Sequence, residues 1–279
     1  MDRSLFSKLI ACLLFVVPCV CFLSAEENFL LINGITNERV LELGPHIDER
    51  ITPCSTFKIV LSLMGYDAKI LKDEKTPIWN FQEGYDDYLE SWKAPQTPQS
   101  WMKYSCGWYS KILASQLGVE KIQNYLASLE YGNQDMSGGL TKPGSTNPTW
   151  VNGSIKISPK EQVDFIQKMI SEKLPISPNA IEKTKLLLFK EELPEEWKLF
   201  GKTGWSGSIS GSDGENFEIG WFVGWVEKDR IFFPFAYYIR EKKINLTQRI
   251  PRVKELLVKS SCMNLKKKYV SPVGSRTDH

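Results

Sequence analysis

Histidine is close to absent from this chain: His46 and His279 are the only two among 279 residues. A Ser-His-Asp triad would have to recruit one of them, and His46 stands alone in a loop between apparent strands and the first helix. A metal hydrolase normally shows several clustered His, Cys or carboxylate ligands, and the sequence has no such cluster. Cysteine is scarce as well. Of six, Cys12, Cys19 and Cys21 crowd into the N-terminal apolar run, which leaves Cys54, Cys106 and Cys262. An odd number without zinc-ligand spacing is not a disulfide framework, although one bridge stays open. No strong charge imbalance exists: the net charge is +2, which gives no electrostatic reason to expect nucleic acid. Lys266-Lys267-Lys268 reads as a solvated face near the C-terminal tail. Internal repeats, low-complexity stretches and linkers are missing too. Past residue 25, no run is long and apolar enough to span a bilayer.

What is present begins at the N-terminus. Arg3 and Lys8 flank the start of an apolar stretch that runs from Leu9 to Leu23, and Ser24-Ala25 precedes Glu26-Glu27. Positive start, apolar middle and small residue before a polar run make residues 1–25 a secretory signal peptide. A membrane anchor fits less well, because the stretch is short and interrupted by Pro18. A lipoprotein signal at Cys19 or Cys21 is disfavoured by the bulky residues before them. Residues 26–279 are then expected as one exported domain in the periplasm, with no stable membrane insertion after cleavage.

Strands are predicted at Phe29–Ile32 and Arg39–Leu43, around the polar turn Asn33–Glu38. A helix starts near Ser55 and stops at Gly65. Val119, Ile122, Leu126 and Leu129 fall at helical spacing. Ser158-Pro159-Lys160-Glu161 is a capping box with proline at the first helical position. Gly138 to Gly153, rich in Gly, Pro, Asn and Ser, is a long ordered loop. Trp197–Thr203, Phe217–Glu227 and Ile231–Arg240 are predicted strands, the last two joined as a hairpin through Asp229-Arg230. An amphipathic helix, Pro251 to Ser260, closes the pattern. Strands from both ends with helices between them predict an α+β fold: an antiparallel sheet flanked by helices, with a helical subdomain over about residues 66–190.

Without a histidine base, a serine nucleophile needs another group to take its proton, and lysine is the available one. Ser55-Thr56-Phe57-Lys58 places the two three apart at a helix start, on one face. The helix N-terminus aims free N–H groups at the position of an oxyanion. Burial would disfavour the charged amine and make it a useful base. The pattern is short, and a serine there can simply cap a helix. Three companions each have an equally ordinary reading: Lys202-Thr203-Gly204 as an exposed lysine before a turn, Ser105-Cys106-Gly107 as a helix N-cap, and Tyr131-Gly132-Asn133 as a helix stop. Their order and separation together are specific.

The chain resembles the class D (oxacillinase-type) serine β-lactamases over nearly all of residues 26–279. The matches include Pro53-Cys54-Ser55-Thr56-Phe57-Lys58-Ile59, Leu63-Met64-Gly65-Tyr66-Asp67, Trp101-Met102-Lys103-Tyr104-Ser105, Trp150 and Ile155-Lys156-Ile157-Ser158-Pro159. Gly201-Lys202-Thr203-Gly204-Trp205 and Gly220-Trp221-Phe222-Val223-Gly224-Trp225 complete them. The resemblance implies a five-stranded antiparallel sheet with a site between it and the helices. It implies hydrolysis of the β-lactam ring through a Ser55 acyl-enzyme, with consequent resistance to penicillin-type antibiotics. Backbone N–H groups of Ser55 and Trp205 would form the oxyanion hole. Lys58 would be N-carboxylated by carbon dioxide or bicarbonate, with no metal, and Trp150 would hold that group. Ser105 would relay protons, and Lys202, Thr203, Gly204 and Arg249 would lie at the substrate carboxylate, with Arg252 close to the last. The protein would act on small-molecule β-lactams as a monomer or homodimer. A D,D-peptidase, a β-lactam sensor that stays acylated, and a weakened relative are the rivals. Gly107 departs from the family's valine, and a wider, wetter pocket is expected there unless Val151, Phe57 or Trp108 fills it.

Overall fold

The computed structural model describes residues 26–144, 147–211 and 214–264. The expected signal peptide at 1–25, the lysines at 266–268 and His279 lie outside the described residues. Strands β1 (Glu26–Ile32), β2 (Arg39–Leu43), β3 (Phe189–Leu193), β4 (Trp197–Ser210), β5 (Asn216–Lys228) and β6 (Ile231–Glu241) form one sheet in the order β2-β1-β6-β5-β4-β3. All neighbours are antiparallel, so the N-terminal hairpin lies beside the last strand. The sheet has six strands where five were expected. The extra one is β3, Phe-Lys-Glu-Glu-Leu, a polar edge strand that follows a helix directly and has no apolar alternation to announce it.

Side chains along the inner strands alternate between two apolar layers. Leu30 and Ile32 of β1 join Trp221, Val223 and Trp225 of β5 on one face. Phe29 and Leu31 join Phe222 and Val226 on the other. A sheet covered on both faces needs apolar residues on both, which is why β5 reads as nearly unbroken hydrophobic sequence. Helix α7 (Arg249–Ser260) covers the second face with Val253, Leu256 and Leu257.

The first face lies under the helices that fall between β2 and β3 in the chain: α1 (Lys58–Asp67), α2 (Pro98–Tyr104), α3 (Gly107–Leu117), α4 (Val119–Ser128), α5 (Pro159–Ile170) and α6 (Pro178–Leu188). Every residue of α1 from Lys58 to Tyr66 is buried, which marks it as the central helix. The capping box of α5 is formed as expected: Glu161 N–H donates to Ser158 Oγ at 3.1 Å, and Ser158 N–H donates to the Glu161 carboxylate at 2.9 Å. A second box, Thr97 with Ser100 behind Pro98, starts α2, an element the apolar periodicity did not reveal. The β5–β6 hairpin turns at Asp229, whose φ is 54°.

Candidate active site

Ser55 sits in a single 3-10 turn, Cys54–Phe57, that runs straight into α1. The expected helix from Ser55 is therefore two pieces, and the tighter first one brings Ser55 and Lys58 together. Lys58 Nζ donates to Ser55 Oγ at 3.2 Å. Cys54, just before the nucleophile candidate, has φ 51°, a left-handed conformation that a non-glycine residue holds only under constraint. Lys58 is 2% exposed. Burial pulls its pKa down to about 8, and the Lys111 ammonium pulls the same way. Burial also pushes the Cys54 and Cys106 thiols up to about 12, so both stay neutral at physiological pH. Cys54, Cys106 and Cys262 are all free and buried, so no bridge joins them.

Strand β4 delivers the second group. Its Phe200 joins the apolar layer under the helices, and its Leu199 the opposite layer. Alternation therefore turns Lys202 and Gly204 toward the helices with Phe200. Lys202 is 2% exposed and donates to the Thr203 carbonyl at 3.0 Å. Burial first, then the charges of Lys190, Lys58 and Arg249, hold its ammonium well below the usual lysine range. Gly204 is where strand and turn meet. A β-carbon on it would lie 3.1 Å from the Pro53 carbonyl oxygen and 3.3 Å from Cys54 Cβ. A larger residue would require β4 or the Ser55 turn to give by a few tenths of an ångström.

Arg249, at the start of α7, crosses to the same place. Its Nη1 donates to the Gly204 carbonyl oxygen, and its Nε donates to Leu246 O at 2.9 Å. Burial brings its pKa down to about 10. Arg252, the nearby alternative, is engaged elsewhere, with Nη2 2.8 Å from the Glu27 carboxylate and Nη1 3.0 Å from Glu255. The charges of Lys58 and Arg249 thus both act on the buried Lys202 ammonium. Such surroundings are suited to an anion. Trp205 follows on β4; its indole is 43% exposed and donates to Glu218 at 3.1 Å.

Trp150 comes from the long loop. Its ring stacks on Phe57, centroids 4.9 Å apart and planes 16° apart, beside Lys58 in the chain. Thr52 Oγ1 donates to the Trp150 carbonyl at 3.0 Å, and Trp221 Nε1 donates to Thr52 O at 2.9 Å. The loop, the approach to Ser55 and β5 are tied together this way.

Ser105-Cys106-Gly107 lies at the start of α3 as expected, with Cys106 at the N-cap and Gly107 the first helical residue. Ser105 itself also ends α2, in the left-handed conformation, φ 59°, with its N–H on Trp101 O. Cys106 between them is close enough for the Lys58 charge to act on its thiol. Tyr131-Gly132-Asn133 has a structural task. Asn133 N–H donates to Lys156 O at 2.9 Å, Asn133 Oδ1 accepts from Lys156 N–H at 2.9 Å, and Asn133 Nδ2 donates to Ser154 O at 2.8 Å. His46 lies apart, 3.0 Å from Glu49.

The expected opening at Gly107 is occupied. A β-carbon there would meet the Trp92 ring at 3.1 Å, and Trp92 was not among the residues expected to fill it. Sequence reasoning also missed the buried pair Lys111–Asp86, 2.9 Å apart. Lys111 could have been noticed as the one lysine among Trp108, Tyr109, Leu113 and Ala114 on an apolar helix. Asp86, in an irregular loop, left no signal.

The model of the penicillin binding protein transpeptidase domain matches residues 37–257. That defines the class: the chain carries a penicillin binding protein transpeptidase domain. The family within it is narrower. The β-lactamase OXA-9 of Klebsiella pneumoniae is 35% identical over 203 residues, covering 72% of this chain and 74% of that one. The β-lactamase OXA-1 of Escherichia coli is 37% identical over 206 residues, 74% of this chain and 72% of that one. The crystal structure of the class D β-lactamase OXA-427 superposes with a TM-score of 0.74 at 34% identity, covering 84% of this chain and 99% of that one. The chain belongs to the class D β-lactamase family.

Proposed function

We propose that this protein is a serine hydrolase that opens the β-lactam ring of penicillin-type antibiotics and so confers resistance. The observation that carries the reading is the Lys58 amine at 3.2 Å from the Ser55 hydroxyl, buried, with its pKa reduced to about 8. Burial makes the neutral form of the amine far more accessible than in an ordinary lysine, and that form, at hydrogen-bond distance, can take the serine proton as Oγ bonds to the ring carbonyl carbon. The carbonyl oxygen gains the negative charge, and backbone N–H groups of Ser55 and Trp205 stabilise it. As the C–N bond breaks, Ser105 passes a proton to the leaving nitrogen. Water then attacks the Ser55 ester, with Lys58 as base again, and releases the opened product. Lys202, Thr203, Gly204 and Arg249 bind the substrate carboxylate, which supplies the negative charge that the cationic pocket lacks.

Lys58 also fits N-carboxylation by carbon dioxide: it is buried, mainly neutral just above its pKa, and flanked by Phe57 with the Trp150 ring stacked on it. The added group would supply an anionic base in place of the amine, with the Trp150 indole N–H to hold it. Among the described residues no cluster of His, Cys, Asp and Glu could hold a metal ion.

Residues 26–279 form one catalytic domain in this reading, and the apolar run before Ala25 directs it to the periplasm. Among the described residues, no helix is long and apolar enough to cross a membrane. A chromogenic cephalosporin tests the proposal. Sustained turnover supports a β-lactamase; a single burst of one equivalent, with a stable adduct on Ser55, would show a sensor or an inert relative instead.

A further inference from the structure

Strand β4 loses its regular pairing immediately after Trp205. Trp205 faces Gly220 and Ser208 faces Glu218, so Ser206 and Gly207 together oppose the single residue Ile219. This is a β-bulge, which takes backbone groups out of the ladder and bends the strand. Backbone groups freed in a buried place need other partners. Ile219 N–H donates to Ser206 Oγ at 2.8 Å, and the Ser206 carbonyl accepts from Asn152 Nδ2 at 3.0 Å. Two side chains thus do at the bulge what the ladder does elsewhere.

Asn152 belongs to the long loop, two residues past Trp150. Its φ is 57°, a left-handed conformation that asparagine tolerates and glycine adopts most easily. Its backbone N–H donates to Thr52 Oγ1 at 3.0 Å. Thr52 lies three residues before Ser55 and is buried. Its carbonyl accepts from Trp221 Nε1, and Trp221 is the β5 residue paired with Gly204. The contacts close into a ring. Thr52 holds Asn152, Asn152 holds Ser206, and Ser206 follows Trp205 and Gly204 on β4. Gly204 in turn packs closely on Pro53 and Cys54, beside Thr52. Ser55 and the Trp205 backbone stand on opposite sides of this ring.

We propose that Asn152 is a positioning residue for the oxyanion site: by holding Ser206 to Thr52, it sets the spacing between the Ser55 and Trp205 backbone N–H groups. This rests on the reading of Ser55 as nucleophile and of those two groups as the oxyanion donors. A glycine at 152 would fit the backbone with less strain, so the amide is what asparagine adds. The amide's acceptor is the carbonyl directly beyond Trp205, on a bulge outside the regular ladder. Oxyanion donors act through distance: they must be aimed where the oxygen lies in the transition state, not in the ground state. A Trp205 N–H released from its place should therefore weaken the transition state more than the bound substrate.

The test uses the whole protein with N152G, which keeps the left-handed backbone and the N–H to Thr52 and removes only the amide. In rapid mixing with a penicillin, the acylation rate constant should fall roughly 10- to 100-fold, the scale of a misplaced group. The dissociation constant of the non-covalent complex should stay near the original. Affinity for a boronic acid, whose tetrahedral adduct on Ser55 mimics the oxyanion, should fall with the acylation rate. A merely structural role would move both constants together or lower the fraction of titratable sites, and either result overturns the proposal. Unchanged constants overturn it too. If N152G does not fold, N152D serves: it keeps the size of asparagine and sets an acceptor against the Ser206 carbonyl. The same split is expected there, and its absence is equally decisive. An original protein that forms no penicillin adduct overturns the hydrolase reading and this inference with it. An original that acylates beside an unchanged variant overturns this inference alone.

Discussion

The rings of Phe57 and Trp150 lie nearly flat on one another, 16° from parallel, which fixes the long loop against the residue that precedes Lys58. Trp150→Phe should keep the stack while removing the indole N–H. Its melting temperature should stay near the original, and, in the proposed mechanism with a carboxylated Lys58, kcat should fall with the loss of the indole N–H. Trp150→Ala should lose the packing as well, at about 3–5 kcal/mol of stability. Equal turnover in the original and Trp150→Phe would remove the indole from the mechanism.

Ser55→Ala should abolish both adduct formation and hydrolysis. Intact-protein mass spectrometry after exposure to a penicillin checks this directly, and an adduct on the alanine variant would assign the nucleophile elsewhere.

Lys58 carries a stability consequence. Its folded-state pKa is lowered to about 8, below that of the unfolded chain. The unfolded chain therefore holds the extra proton between pH 8 and the ordinary lysine value, and stability should rise with pH across that window and be flat just below it. Lys58→Met removes a charge that is buried at neutral pH. It should inactivate the enzyme while stabilising it by on the order of 1–3 kcal/mol at pH 7. Denaturant unfolding at pH 7 and pH 9.5 measures both effects. A Met variant less stable than the original would show that the lysine is better paired than its surroundings suggest.

Two neighbouring arginines should separate cleanly. Arg249→Ala removes a cation from the pocket and the tie to Gly204, so KM for penicillins should rise tenfold or more, on the order of one to two lost charge-assisted contacts. Arg252→Ala breaks a partly exposed pair with Glu27, at about 1 kcal/mol or less of stability, and should leave KM unchanged. Lys202→Ala should behave like Arg249→Ala. Steady-state kinetics of the three variants side by side decides the assignment.

Gly107→Val is expected to damage the protein. The β-carbon alone would lie 3.1 Å from two atoms of the Trp92 ring, which would have to give way, and overpacking of this kind costs about 1–3 kcal/mol. Pairing it with Trp92→Ala should recover part of that loss, and additive losses in the double variant would show that the two positions do not share one space.

Much of this was legible in the chain itself. Ser55 with Lys58, and Lys202 with Gly204, could be read because a short spacing on a helix or strand forces proximity. The α5 capping box and the β5–β6 hairpin were legible for the same reason: local chemistry determines them. Elements set by long-range contact were not. The polar edge strand β3 exists because β4 offers it hydrogen bonds, and the short α2 is started by Thr97 and Ser100 without an apolar stripe. Ser105-Cys106-Gly107 was legible as a helix start; that Ser105 also ends the preceding α2 shows only in the left-handed turn between the two helices. At Gly107 the missing side chain suggested empty space. Its occupant, Trp92, ends a single 3-10 turn fifteen residues earlier, and no periodicity links the two.

The three free thiols among the described residues give the molecule a built-in unfolding clock. Cys54, Cys106 and Cys262 are each 0% exposed, so an alkylating reagent has no access to them while the chain is folded. Labelling then proceeds only as fast as the structure opens, and the sites report on different parts of it. Cys54 and Cys106 lie in the layer beneath the helices, and Cys262 lies in the layer under α7. Peptide-resolved alkylation in a mild denaturant would show whether the two sides of the sheet come apart together or one before the other. Because none of the three is bridged, the same chain can be refolded in a reducing buffer with no oxidant added.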